Sequence, residues 1–131
     1  MKLRVICKSK IHRAVVTGAD LNYIGSIGID ADLMRRTDIV AGEKVAVWNV
    51  SNGQRIDTYA IELETGSGGI VVNGAAARHF QPGDHVIIVA FCLTDEPVQP
   101  RMIVVDERNH FVRDLTDNEP MTKEAAGRAR S

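Results

Sequence analysis

Cysteine is scarce in this chain of 131 residues: Cys7 and Cys92 are the whole complement, far apart and without CxxC spacing. That excludes a disulfide framework and a structural zinc site, and predicts two buried, reduced thiols. An excess of one charge is missing too, because 16 basic residues face 17 acidic ones for a formal charge of -1. So balanced a chain has no electrostatic footprint for a phosphate backbone, which excludes nucleic acid as a partner. No apolar run approaches the roughly 20 residues needed to cross a bilayer. Lys2, Arg4, Lys8, Lys10 and Arg13 break up the hydrophobic residues of the N-terminus. The chain reads as soluble, unexported and cytoplasmic, with no membrane partner. His12, His79, His85 and His110 lack metal-ligand spacing, so no metal site is expected, and only His12 draws attention, through its neighbour Lys10.

What is present is enough apolar material, 44% of residues, for one packed domain and too little length for two. Composition is even as far as Leu115, whereas 116–131 is polar, charged and almost free of large apolar residues. The expectation is a folded domain over 1–115 and an unstructured polar tail over 116–131. Runs rich in Val and Ile predict strands at Leu3–His12, Val45–Val50, Ile56–Leu63, Gly69–Val72, His85–Leu93 and Met102–Val105. Asn52-Gly53 suits a type I′ turn between the second and third of these. Helix signals are short: Asp30 caps Ala31–Arg36, and Asn73 caps Ala75–His79. Each is too brief to stand without packing on a sheet. The fold class is therefore mainly β with short helices.

A weak internal repeat adds to this. The stretch from Arg36 to Val47 is echoed from Arg78 to Ile88 in the order helix end, turn, Gly, acid, strand. A small pseudo-symmetric barrel follows naturally, since closure removes the exposed edges that Val- and Ile-rich strands would otherwise present.

The chemistry centres on Tyr23-Ile24-Gly25-Ser26. A serine hydroxyl lies close to the carbonyl of the residue before it and can attack backward, and a preceding glycine leaves room for that attack and tolerates strained dihedrals. The product is an ester, from which β-elimination and hydrolysis leave a chain ending at Gly25 and a new N-terminal pyruvoyl group. By itself, however, a Gly-Ser pair is usually a turn.

The surroundings change that judgement. Lys8-Ser9-Lys10-Ile11-His12-Arg13, Val16-Thr17-Gly18-Ala19-Asp20-Leu21-Asn22-Tyr23, Gly25-Ser26, Trp48-Asn49-Val50-Ser51-Asn52-Gly53, Arg55, Thr58-Tyr59 and Val72-Asn73-Gly74-Ala75-Ala76-Ala77 follow one another along the folded part. In these the chain resembles the pyruvoyl-dependent aspartate 1-decarboxylase family from about Met1 to Leu115. The resemblance implies a small double-psi β-barrel and a homotetramer with active sites between subunits. It also implies conversion of L-aspartate to β-alanine for pantothenate and coenzyme A, with a covalent pyruvoyl cofactor derived from Ser26. Autonomous cleavage and cleavage helped by a partner protein are equally compatible with it.

Carried over by position, Ser26 is the pyruvoyl precursor and Gly25 its cleavage partner. Thr58 matches the residue that engages the Gly25 carbonyl during processing, and Tyr59 the proton donor. Arg55 and Lys10 match the cations near substrate carboxylates, and a forked guanidinium suits such a group. Asn73, within the matched stretch, begins a short helix whose free N–H groups, with those of Gly74 and Ala75, suit an anion or the substrate's polar end. Trp48 matches a tryptophan near the site. Each has a plain structural alternative: strand threonine, packed tyrosine, solvated cation, helix cap, core tryptophan. One departure is visible, since Ile24 stands where some relatives carry an acid. A pyruvoyl decarboxylase of glutamate or another amino acid, or a non-catalytic barrel, are the rival readings.

Overall fold

The computed structural model describes residues 1–115, and the tail expected over 116–131 lies outside the described residues. The chain is mostly strand. In order it forms β1 (Arg4–Val15), β2 (Gly18–Asp20), β3 (Ser26–Asp30), α1 (Ala31–Thr37), β4 (Lys44–Asn49) and β5 (Arg55–Leu63). There follow β6 (Ile70–Asn73), a 3-10 helix (Gly74–His79), β7 (His85–Thr94), β8 (Arg101–Val105) and β9 (Phe111–Leu115). Helices fall where the sequence puts them, and three short strands, β2, β3 and β9, join those expected.

Hydrogen-bonded neighbours run β2-β6-β3-β5-β4-β7-β1-β8-β9. The ribbon closes because β1 runs almost directly into β2: β1 pairs with β7, while β2 pairs with β6 at the other end of the order. Thr17 sews the closure, its N–H and hydroxyl both donating to the Ile70 carbonyl while Ile70 N–H donates back to Thr17 Oγ1. This is the small double-psi barrel expected. Ile11, Val16, Ile27, Ile29, Val45, Val47, Ile70, Val72, Val86 and Ile88 fill it, each burial contributing about 1.5 to 3 kcal/mol. A bulge at Arg13, whose φ is 60°, shifts the β1 register between Ile11 and Ala14 and returns Ala14 to the core.

Asp30 caps α1 as expected, accepting from Asp32 N–H at 2.9 Å, and also ties down the loop after β5 by accepting from Gly66 and Gly68 N–H. The repeat is real in three dimensions. Gly42 (φ 88°) and Gly83 (φ 94°) occupy matching turns, and in each the following acid accepts from the N–H three residues before it, Glu43 from Val40 and Asp84 from Gln81.

Three expectations need correction. Asn52-Gly53 does join β4 to β5, but only Gly53 has positive φ, so the turn is not type I′. Asn49 and Asn52 instead fold a longer loop, their side-chain oxygens accepting from Ser51 and Gln54 N–H. Asn73 does not cap the helix after it, which is a 3-10 helix beginning at Gly74; its amide is engaged elsewhere. Cys7 and Cys92 are half-buried rather than buried. They are unbridged because Cys7 is opposite Phe91 and Cys92 opposite Ile6, adjacent rungs whose side chains point to opposite faces.

Candidate active site

Ser26 opens β3, and β3 is wedged between β6 and β5. Its antiparallel partner on β6 is Asn73, which donates from Nδ2 to Ser26 Oγ at 3.0 Å. The hydroxyl in turn donates to the Ile24 carbonyl at 3.3 Å. Ser26 is 2% exposed and Asn73 5%, so the pair is shielded from water although Tyr23 and Ile24 just before it are exposed. The approach is shaped by Asp20, whose carboxylate accepts from Asn22 N–H and whose carbonyl accepts from Tyr23 N–H.

The Asn73 amide was thus legible as a helix cap and is in fact a side-chain partner of the candidate nucleophile. Only the β3–β6 register could reveal this. Gly25 also differs from expectation. It is not among the residues with positive φ, and a Cβ there would meet only the Asn73 carbonyl at 4.0 Å. The demanding glycine is Gly74, with φ 77°, whose imagined Cβ would lie 2.6 Å from Gly25 Cα and 2.9 Å from Gly25 N. Ala75 follows it in the first turn of the 3-10 helix, where N–H groups lack intrahelical acceptors.

On the other side of β3, the parallel ladder pairs Ile27 with Ala60. The ladder ends there, and one residue before it on each strand are Ser26 and Tyr59. Ile27 and Ala60 are wholly buried, so alternation turns Ser26 and Tyr59 to the outer face. Thr58 is half-buried on the core side opposite Val45, and its hydroxyl has no hydrogen-bond partner among the described residues. Tyr59 is 39% exposed. Arg55 shares its face, since the β4–β5 ladder runs from Lys44–Tyr59 to Trp48–Arg55 without a register shift. The Arg55 guanidinium stacks over the Trp48 ring, 4.5 Å from its centroid. Tyr59, Arg55 and Trp48 thus share one outward face of β5 and β4, and the buried Ser26–Asn73 pair is on the adjoining β3 and β6.

Lys10 is on none of those four strands. It sits on β1 opposite Val89 and Met102, and β1 is four places from β3 in the sheet order. His12, two residues on, has its Nδ1 buried without a partner among the described residues. Burial foremost, then the charges of Lys10 and Arg13, keep its pKa below the ordinary imidazole value. A cleft of about 430 Å³ lies elsewhere, lined by Arg36, Pro100, Arg101, Met102 and Asp114 among others, and contains none of the residues just described.

A family model for aspartate decarboxylase matches residues 1–112. The aspartate 1-decarboxylase of Myxococcus xanthus (strain DK1622) is 50% identical over 121 residues, covering 89% of this chain and 93% of that one. Its counterpart in Moorella thermoacetica is 56% identical over 110 residues, 81% of this chain and 86% of the relative. That of Herminiimonas arsenicoxydans is 51% identical over 112 residues, 82% and 94% of the two chains. With the family model spanning residues 1–112 and these relatives covered over 86–94% of their own length, the chain belongs to the aspartate decarboxylase family.

Proposed function

We propose that this chain is the enzyme that converts L-aspartate to β-alanine and carbon dioxide, for the synthesis of pantothenate and coenzyme A. It matures by breaking its own Gly25–Ser26 bond, so that Ser26 becomes a pyruvoyl group. The observation that carries this reading is the setting of Ser26: a shielded hydroxyl, held by the Asn73 amide at 3.0 Å, directly after a glycine whose backbone is in close contact with Gly74. The residues present fit the group, because Asn73 Nδ2 already addresses the Ser26 Oγ position.

The pyruvoyl carbonyl supplies an electrophile for the substrate amine and a sink for the electron pair left when carbon dioxide departs. The chain's own residues do the rest. Thr58, next to Tyr59 on β5, polarises the Gly25 carbonyl during cleavage. Arg55 holds the carboxylate that is retained, its plane preset by the Trp48 ring. Tyr59 delivers a proton from its hydroxyl to the substrate carbon that has lost its carboxylate. Asn73, Gly74 and Ala75 receive the substrate's polar end. Lys10, on none of the strands that carry the others, serves the site of a neighbouring copy in a homotetramer with sites between subunits. The catalytic domain is 1–115 and works in the cytoplasm. No helix among the described residues is long and apolar enough to cross a membrane.

Intact mass of freshly purified protein tests the reading. Two chains, 1–25 and 26–131, are expected, the second blocked to Edman sequencing, with aspartate turned over in preference to glutamate. Ser26→Ala is expected to stay folded, whole and inactive. A chain that remains whole while decarboxylating aspartate overturns the mechanism, and preference for glutamate overturns the substrate.

A further inference from the structure

We infer that Gly74 is a positioning residue for the cleavage itself: its missing side chain lets Tyr23 to Gly25 press against the start of the 3-10 helix, which sets the Gly25 carbonyl within reach of the Ser26 hydroxyl. This rests on the reading of Gly25–Ser26 as the bond that breaks. It gives Gly74 a part played before any substrate arrives.

The contacts single out this glycine. A Cβ at Gly74 would lie 2.6 Å from Gly25 Cα, 2.9 Å from Gly25 N and 3.3 Å from the Tyr23 carbonyl oxygen. All three are backbone atoms of the segment that ends at the scissile bond, so no side-chain rotation can make room. Gly28 and Gly69 are crowded differently. Their closest obstacle is the Leu63 side chain, which can turn away. Gly68 also meets backbone, the Arg108 carbonyl oxygen at 2.5 Å, but that contact is on the far loop bound by Asp30.

Gly74 acts in concert with the residue before it. Asn73 holds Ser26 Oγ from the side, and Gly74 sets the backbone on which that oxygen must act. In the first step Ser26 Oγ bonds to the Gly25 carbonyl carbon, the Gly25–Ser26 C–N bond breaks, and the hydroxyl proton passes to the freed amine. Loss of the Ser26 α-proton then expels the Gly25 carboxylate, and water hydrolyses the resulting enamine with release of ammonia. Only the first step depends on how carbonyl and hydroxyl are set against each other, and effective molarities for such pairs fall steeply when alignment is lost. A shift of the Gly25 backbone by the several tenths of an ångström that a methyl group demands acts on this step.

The test uses the full chain as wild type, Gly74→Ala, Gly74→Asn and Gly53→Ala. Gly53 has nearly the same positive φ, 80°, but nothing within 4 Å of its imagined Cβ, so it reports backbone strain without the collision. Asn tolerates positive φ better than Ala and keeps the collision. Intact mass follows splitting over time, circular dichroism and thermal melting report the fold, and hydroxylamine cuts any ester that has accumulated. Wild type and Gly53→Ala are expected to split alike. The Gly74 variants are expected to fold, split at least tenfold more slowly, and yield no fragments with hydroxylamine, which locates the block before the ester. Normal splitting of a folded Gly74 variant overturns the inference, as does accumulation of ester. So does failure of both variants to fold, since Gly74 would then serve the barrel and not the cleavage. A wild-type chain that itself stays whole overturns instead the reading of the Gly25–Ser26 bond.

Discussion

Arg55 carries the most demanding expectation, because two of its properties can be removed separately. It lies on the strand that bears Tyr59, points to the same face, and stacks 4.5 Å from the Trp48 ring centroid. Arg55→Ala removes charge, fork and stack together. Losing charge-assisted hydrogen bonds to a carboxylate costs about 1.5 to 3 kcal/mol, or roughly ten- to a hundredfold in catalytic efficiency. Trp48→Leu leaves the guanidinium and removes only its platform, worth about 0.5 to 1 kcal/mol at an exposed site, or roughly two- to fivefold. Arg55→Lys keeps the charge but offers a point where a planar fork was, so its loss falls between the two. The assay is kcat/KM for aspartate on samples matched for pyruvoyl content, with splitting followed separately by mass. Splitting should be unaffected in all three, since Arg55 bonds nothing near Gly25. Wild-type efficiency in Arg55→Ala would refute the assignment, and a Trp48→Leu loss as large as that of Arg55→Ala would refute the platform argument.

Tyr59→Phe keeps the ring and deletes the hydroxyl, so it should split normally yet turn over aspartate about a hundredfold more slowly or worse; full activity in a fully split sample would remove Tyr59 from proton delivery. Asp30 links stability to pH. Burial pushes its carboxyl pKa up, but N–H groups of Gly68, Asp32 and Gly66 outweigh that and hold it below the ordinary value. Its contribution is therefore complete above the unfolded pKa of about 3.9 and is lost as pH falls through the lower folded value. Asp30→Asn should lower stability near neutral pH by about 1.5 to 3 kcal/mol in urea unfolding, with the gap to wild type narrowing in acid; a gap of constant size across that range would show that the charge is irrelevant.

Much of the fold was legible because its signals are local. Val- and Ile-rich runs marked six strands, Asp30 marked the start of α1, and Gly42 and Gly83 marked the paired turns, since each depends on residues within a few positions of itself. The strands missed were those whose pairing supplies what their sequence lacks: β2 is three residues long and gains order only by lying along β6. Arg55 and Tyr59 could be put on one face by alternation alone, and the regular β4–β5 ladder keeps them there.

What lay outside local reach was contact between distant segments. Asn73 and Gly74 look like a helix start from their neighbours, yet Asn73 spends its amide on Ser26 and Gly74 makes way for Gly25, because the β3–β6 register brings together positions 47 residues apart. Lys10 reads as a site residue from its motif, and it lies on β1, which is not hydrogen-bonded to the strand that Ser26 opens. Motif chemistry and strand alternation are properties of short stretches of chain. Which glycine must be bare, and which amide meets the serine, depends on strand register and closure, and those are decided only when the whole sheet is assembled.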